Sequence, residues 1–344
     1  MNQPIYDLVS IGETMLRFSP KSPLRLEQSS ELETHVGGSE SNTLVGLSRL
    51  GLKSAWISRL PSHVLGQSIA RNIAMHGVDT QHVVWSESDR LGLYFFEPAS
   101  APRSGEVIYD RKDSAFANFS ADLLPVEPLQ STRWFHATGI SLALGPRTHT
   151  MMDKARTIAK KSGSKVSFDF NYRSKLWDMQ SAREGTQSWV CESDIVFFAK
   201  RDATAWLGIP ADSDDRRVVD ELLTLRGGKA TVITLGGRGA IGGEDDKTVY
   251  VRTLQLDGLD RSGGGVGRLG GGDAFSAGVL FGHLQGWSLE KSLRWGNAMA
   301  GIKYSIPGDL PVIQRSEVSR FVDQLEKLSD GADGEGSLKL GVNR

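Results

Sequence analysis

Residues 263–278 read GGGVGRLGGGDAFSAG. Glycine dominates up to Gly272, and Asp273 then opens a helical stretch over residues 274–285. A helix start preceded by glycines leaves several backbone N–H groups without intrahelical partners and carries about half a positive charge. That geometry suits a phosphate, and a carboxylate at the same place can take a proton from an attacking hydroxyl. Aspartate is also a favoured N-cap, so the turn taken alone leaves a purely structural reading open. It is not a Walker A loop, because no Gly-Lys-Ser/Thr follows. Nor is it a dinucleotide fingerprint, because it lies near the C-terminus and not after the first strand.

Working outward, strand-like apolar runs alternate with helical patterns. Residues 5–11 (IYDLVSI), 55–60, 133–138, 165–170, 194–198 and 230–235 read as strands. Residues 41–50, 67–76 and 148–162 read as helices, closed by Gly51, Gly77 and Gly163. Strands separated by helices of this length predict crossover connections, hence an α/β fold with a doubly wound, mainly parallel sheet. Two segments, about 14–35 and 92–112, contain strand-like pieces with no helix between them. They predict a small β-sheet lid beside the main sheet, at the strand carboxyl ends where such folds bind ligands. One domain over 1–328 is expected, with residues 329–344, rich in Gly, Asp and Ser, as a flexible tail.

Bulk composition narrows the function classes. The 344 residues carry a formal charge of -1 with 24% charged residues, and no dense Lys/Arg run marks a nucleic-acid surface. No apolar run of about 18 residues predicts a membrane span. Residues 1–10 lack the layout of a signal peptide, so a cytoplasmic location is expected. Cys191 stands alone, which excludes an intrachain disulfide or a cysteine metal cluster.

The run Gly270-Gly271-Gly272-Asp273-Ala274-Phe275 resembles the C-terminal signature of the ribokinase-like (pfkB-type) carbohydrate kinases. Gly37-Gly38-Ser39-Glu40-Ser41-Asn42, followed by a helix and Leu50-Gly51, resembles the family's first signature. The resemblance covers roughly residues 6–325. It implies Asp273 as catalytic base, Gly270, Gly271 and Gly272 as anion hole, and Gly38 and Asn42 as sugar contacts. Leu235-Gly236-Gly237-Arg238-Gly239 also matches, which places Gly236, Gly237, Gly239 and Asn297 near the nucleotide. ATP and Mg2+ are the implied cofactors, with few direct protein ligands to the metal, and a monovalent cation is a further candidate. The lid is the surface through which a homo-oligomer would form.

Several stretches look more like 2-keto-3-deoxygluconate kinases than like other members: Gly12 to Arg17, Gly92 to Phe95, Tyr109-Asp110-Arg111, Asp169 to Trp177 and Ser305 to Asp309. Tyr109 and Arg111 are two apart and would share a strand face; so would Asp169, Asn171 and Arg173 while the strand lasts. Arginines converging with tyrosines suit a carboxylate, which a guanidinium grips bidentately. By resemblance, Tyr94, Tyr109, Arg111 and Arg173 hold the acid end of the substrate and the far hydroxyl points at Asp273. The chain departs from the family where an Asn-x-x-Glu motif is usual: Ala199 and Asp202 stand there, Gly267 replaces an acidic residue, and Thr234 replaces a frequent lysine. Two other readings remain open at this level: a kinase for another sugar or sugar acid, and a catalytically weak paralogue that only binds a sugar acid.

Overall fold

The strand Tyr6–Ile11 (β1) lies in the middle of a ten-stranded sheet. It pairs in parallel with Ser54–Pro61 (β4) on one side and Thr132–Thr138 (β9) on the other, with Val9 opposite both Ala55 and Phe135. The two faces of such a strand must both be covered, so apolar residues stand on both, Leu8 on one and Val9 and Ile11 on the other. Leu8 and Trp56 face one core, and Val9, Ile11, Ala55 and Ile57 face the other.

The computed structural model describes residues 4–21, 24–99, 102–253 and 269–330. After β1 come Met15–Ser19 (β2) and Glu33–Gly37 (β3), then β4, Val78–Asp79 (β5), Val83–Ser86 (β6), Leu93–Glu97 (β7) and Glu106–Asp110 (β8). They are followed by β9, Lys165–Asp169 (β10), Ile195–Ala199 (β11), Ala230–Thr234 (β12), Ala240–Glu244 (β13) and Lys247–Val251 (β14). The large sheet runs β14-β13-β12-β11-β10-β9-β1-β4-β5, with β6 also on β4; it is parallel from β12 to β5 and antiparallel at the β13 and β14 edge. The second sheet, β3-β2-β7-β8, stands apart from it.

The helices are Ser39–Arg49 (α1), Val64–Ala74 (α2), Glu127–Gln130 (α3), Gly139–Ala143 (α4), Pro146–Lys161 (α5) and Met179–Glu192 (α6). Lys200–Leu207 (α7), Asp215–Arg226 (α8), Gly271–Leu284 (α9), Leu289–Lys303 (α10) and Arg315–Asp330 (α11) are the remaining α-helices among the described residues. Residues from α1, α2, α9, α10 and α11 fill the first core, and residues from α3 to α8 fill the second, so helices cover both faces. Gly51, Gly77 and Gly163, read from sequence as helix stops, all sit at positive φ.

The boundaries differ from expectation in three instructive places. Helix α9 begins at Gly271, with Gly270 as its left-handed N-cap, so Asp273 sits inside the first turn and does not open the helix. Strand β10 ends at Asp169, and Asn171 adopts φ 39, so Asp169, Asn171 and Arg173 do not share a strand face. Helix α11 runs to Asp330, past the expected domain limit at 328; residues 331–344 of the expected tail lie outside the described residues. No described helix is long and apolar enough to cross a membrane.

Candidate active site

Because β1, β4 and β9 to β12 run parallel, their carboxyl ends share one edge of the sheet. Glu13, Asp169, Ala199 and Gly236 follow or close those strands, and ligands bind along this edge in open α/β sheets. Helix α1 also starts there and meets α9. Gly46 lets the two helices approach closely, since a methyl at that position would stand 2.8 Å from the Ala277 Cβ.

At this meeting point Asp273 is buried and doubly held. Ser39 donates its hydroxyl to Oδ1 at 2.6 Å, and Asn42 donates Nδ2 to Oδ2 at 2.7 Å. The backbone N–H of Gly38 reaches the other end of the Asn42 amide, Oδ1, at 3.4 Å. Burial pushes the Asp273 carboxyl above its ordinary value, while Ser39, Asn42 and the charge of Arg173 pull it back down. Asp169 is raised to about 7, by burial first and by the charge of Asp273 second. Glu40 is also raised by burial, although Thr138 and Ser141 each donate a hydroxyl to its Oε1 at 2.7 Å.

The glycines in front of Asp273 have different reasons to be glycine. Gly270 has φ 73 and would drive a Cβ into the carbonyl oxygen of Asp309. Gly271 would meet the ring of Tyr304. Gly272 faces open space, so packing does not require it. The first N–H of α9 with an intrahelical acceptor is that of Ala274, bonded to the Gly270 carbonyl at 2.9 Å. The amides before it therefore point out of the helix end, beside a residue with no side chain to obstruct them. Two opposite outcomes are expected. Gly270→Ala should destabilise the fold by about 2 kcal/mol or more, from left-handed strain plus the clash. Gly272→Ala should leave the melting temperature unchanged or raised, because alanine favours a helix over glycine by about 1 kcal/mol. It should nonetheless lower turnover about 10-fold or more, because the methyl stands before the helix amides. Thermal unfolding and turnover on the same two preparations separate the effects.

The small sheet brings Tyr94, Tyr109 and Arg111 together. The tyrosine rings lie 6.0 Å apart, and the Arg111 guanidinium stands 5.5 Å over the Tyr109 ring. Both partners are already engaged on the protein side. Arg111 grips Glu13 Oε2 through Nε at 2.8 Å and Nη2 at 2.5 Å, and Ser114 donates to Glu13 Oε1 at 2.5 Å. Tyr94 donates its hydroxyl to Asp309 Oδ1 at 2.5 Å, and Arg17 Nε lies 3.2 Å from Asp309 Oδ2. Arg17 is fully buried, and its two terminal nitrogens have no hydrogen-bond partner among the described residues. Lys303 anchors the loop that carries Asp309 by donating to the carbonyls of Ile306 at 2.8 Å and Gly308 at 2.9 Å. Burial lowers this lysine to about 8.

Arg173 is placed differently. It lies past the end of β10, exposed, and its side chain has no hydrogen bond or ion pair among the described residues. Its charge nevertheless acts on both Asp169 and Asp273. It is thus a cation on the rim of the buried carboxylates, available for an incoming anion.

The residues expected at the nucleotide form a separate group. Gly236 and Gly237 face open space in a short turn after β12, and Gly239 would clash with the carbonyl of Val251. Asn297 donates Nδ2 to that same carbonyl at 3.1 Å, so its amide secures the end of β14 against α10. Among the positions where the family motif is missing, Ala199 leaves α7 without a side-chain cap, and Asp202 is buried and paired with Arg201 at 3.0 Å. Lys200 and Arg238 both bind Asp215 at 2.6 Å, tying α7 and α8 to the turn. Gly267 lies outside the described residues.

Sequence reasoning did not single out Glu13, Arg17, Ser39, Glu40 or Asp309 as site residues. All five lie within stretches quoted for the resemblance, which was the available signal. What assigns them is partnership with residues far along the chain.

Comparison with known proteins identifies what the whole chain is similar to. A family model described as pfkB family carbohydrate kinase matches residues 6–311. A 2-dehydro-3-deoxygalactonokinase of Haloferax volcanii is 35% identical, over 92% of this chain and 96% of its own length. A 2-dehydro-3-deoxygluconokinase of Bacillus subtilis is 26% identical, over 88% and 91%. The crystal structure of 2-dehydro-3-deoxygluconokinase from Thermotoga maritima superposes with a TM-score of 0.85 at 26% identity, covering 94% of this chain and 100% of that one.

Proposed function

Because the chain belongs to the PfkB family of carbohydrate kinases, we propose that it transfers the γ-phosphoryl group of ATP to the 6-hydroxyl of 2-keto-3-deoxygluconate. The products are 2-keto-3-deoxy-6-phosphogluconate and ADP. The observation that carries the reading is the pairing of a buried, doubly held Asp273 with an unpartnered cation, Arg173, on the same rim. A base alone serves any sugar. A base with a free guanidinium serves a sugar acid, whose carboxylate the guanidinium can grip through two parallel hydrogen bonds.

In the proposed reaction the 6-oxygen attacks the γ-phosphorus, the bond from that phosphorus to the β–γ bridging oxygen breaks, and the hydroxyl proton passes to Asp273. An ionised carboxylate offers about four lone-pair sites. Ser39 and Asn42 occupy two, which leaves room for the sugar hydroxyl. Gly270, Gly271 and Gly272 present the amide end of α9 to the transferring phosphoryl, where charge stabilisation does most of the work. Magnesium arrives with ATP as part of the substrate, and the turn Gly236 to Gly239 borders the nucleotide. Tyr109 and Arg111 wall the acid end. Gly38 and Asn42 border the sugar, with Gly38 kept bare because a Cβ there would strike the carbonyl of Glu13.

One specific alternative has support. The Haloferax volcanii relative, at 35% identity, is named for the galactonate compound. The two sugar acids share the carboxylate, the ketone and the terminal hydroxyl and differ at one carbinol centre, so the Arg173 and Asp273 arguments serve both. Turnover measured with ATP and magnesium on 2-keto-3-deoxygluconate, 2-keto-3-deoxygalactonate, ribose and fructose decides. The sugar acids are expected to exceed the neutral sugars in kcat/KM by about 100-fold, the weight of one buried charge-assisted contact pair. Equal or better use of ribose or fructose overturns the sugar-acid reading.

A further inference from the structure

Ser39 stands between two groups that constrain its single proton. Its oxygen lies 2.6 Å from Asp273 Oδ1 and 2.8 Å from Asn171 Nδ2. An ionised carboxylate can only accept, so the proton of Ser39 must point at Asp273. The group on the other side must then be a donor, which fixes the Asn171 amide with its nitrogen toward Ser39. Asn171 reaches this place from an uncommon conformation, φ 39, and its backbone N–H is tied to Asp169 Oδ1 at 3.1 Å. Left-handed backbone at a non-glycine residue costs roughly 1–2 kcal/mol. A well-formed carboxylate bond on the same residue offsets part of that cost.

We infer that Asn171 and Ser39 are positioning residues that work as a relay: Asn171 holds the Ser39 hydroxyl as a permanent donor to Asp273, keeping that carboxylate ionised and aimed at the sugar hydroxyl. The inference rests on Asp273 being the base. Its chemical sense follows from the surroundings. Asp273 faces the carboxylates of Asp169 on β10, Glu40 on α1 and Asp309 after α10, and the cations Arg173 after β10 and Lys303 on α10. Burial and the neighbouring acids push its proton affinity up, so any donor that is lost moves it further from the ionised form. Without Asn171 the Ser39 oxygen loses the donor that polarises its O–H toward Asp273, so the hydrogen bond to the carboxylate weakens while the serine remains.

The sign is fixed. Activity needs ionised Asp273, so it falls as pH drops through the folded-state value, which burial raises from the ordinary one. Removing a donor to the charged form raises that value, and the acid limb of the kcat profile moves to higher pH. Asn171→Gly is the informative variant, because glycine accepts the left-handed backbone without strain and deletes only the amide. Measured with ATP and the best sugar acid, Asn171→Gly should move the acid limb up by about half a pH unit, and Ser39→Ala by about one unit, the usual scale for one hydrogen bond to a carboxylate. KM for ATP should stay within about twofold. The double variant should match Ser39→Ala alone, because Asn171 acts only through that hydroxyl. Shifts that add in the double variant, or an unmoved limb in Asn171→Gly, overturn the relay while Asp273→Asn still reads as base loss. Full turnover in Asp273→Asn overturns both the relay and the reading beneath it.

Discussion

Asp273→Asn should lower kcat by about 100-fold or more, the ordinary contribution of a positioned general base, with the melting temperature close to that of the parent. Asparagine keeps the shape and can still accept from Ser39 at its amide oxygen. On the Asn42 side the substitution sets an amide nitrogen against an amide nitrogen 2.7 Å away, and one amide must rotate to relieve it. The stability change stays small because burial of the charged carboxylate is already unfavourable: its proton affinity is raised, so neutralising it removes a desolvation cost. The loss should therefore fall on turnover. Single-turnover mixing with saturating ATP and sugar acid, followed by ADP detection, measures it. A variant within about threefold of the parent would leave the base without a role.

Arg173→Ala should cut kcat/KM for the sugar acid by about 100-fold and leave KM for ATP nearly unchanged. In the ligand-free chain Arg173 is exposed and holds no partner, so the substitution costs the fold little. With substrate bound, the loss strands a carboxylate without its charged partner. Removing one side of a desolvated charge pair costs about 2–5 kcal/mol. Arg173→Lys should recover only part, because an ammonium cannot reproduce the two-pronged grip. A second signature follows from electrostatics. The Arg173 charge lowers both Asp169 and Asp273, so its removal lets both rise, and the acid limb of activity moves to higher pH. Asp169, already pushed up to about 7, would rise in the same direction. Neutral sugars offer the control: any use of ribose should be unaffected in kcat/KM above the shifted limb.

The architecture was legible because it is written in local periodicities. The residues of β1 are apolar on both faces, the glycines at 51, 77 and 163 sit where a helix must stop, and the glycine turn before α9 stands directly ahead of the base. The small sheet was legible for the converse reason, since residues 14–35 and 92–112 hold strand-like pieces with no α-helix between them; only the 3-10 turn Leu26–Gln28 intervenes. Strand alternation failed beyond Asp169, where Asn171 turns left-handed, and chain spacing could not reveal that Asn171 faces Ser39 and not Arg173.

What the amino-acid order determined by itself was therefore the layered α/β fold, the position of the glycine turn with Asp273 beside it, and the tyrosines and arginines expected to meet an acid group. Only the tertiary structure decided how those groups are engaged. Asp273 is held by Ser39 and Asn42 from 234 and 231 residues away, Tyr94 is bound to Asp309 across 215, and Arg111 is spent on Glu13 across 98. Among these candidates Arg173 is the guanidinium that carries no partner in the described structure, a distinction that no local pattern holds. Secondary structure depends on neighbours a few residues apart, whereas the charge state and availability of a side chain depend on whichever segments the fold packs against it.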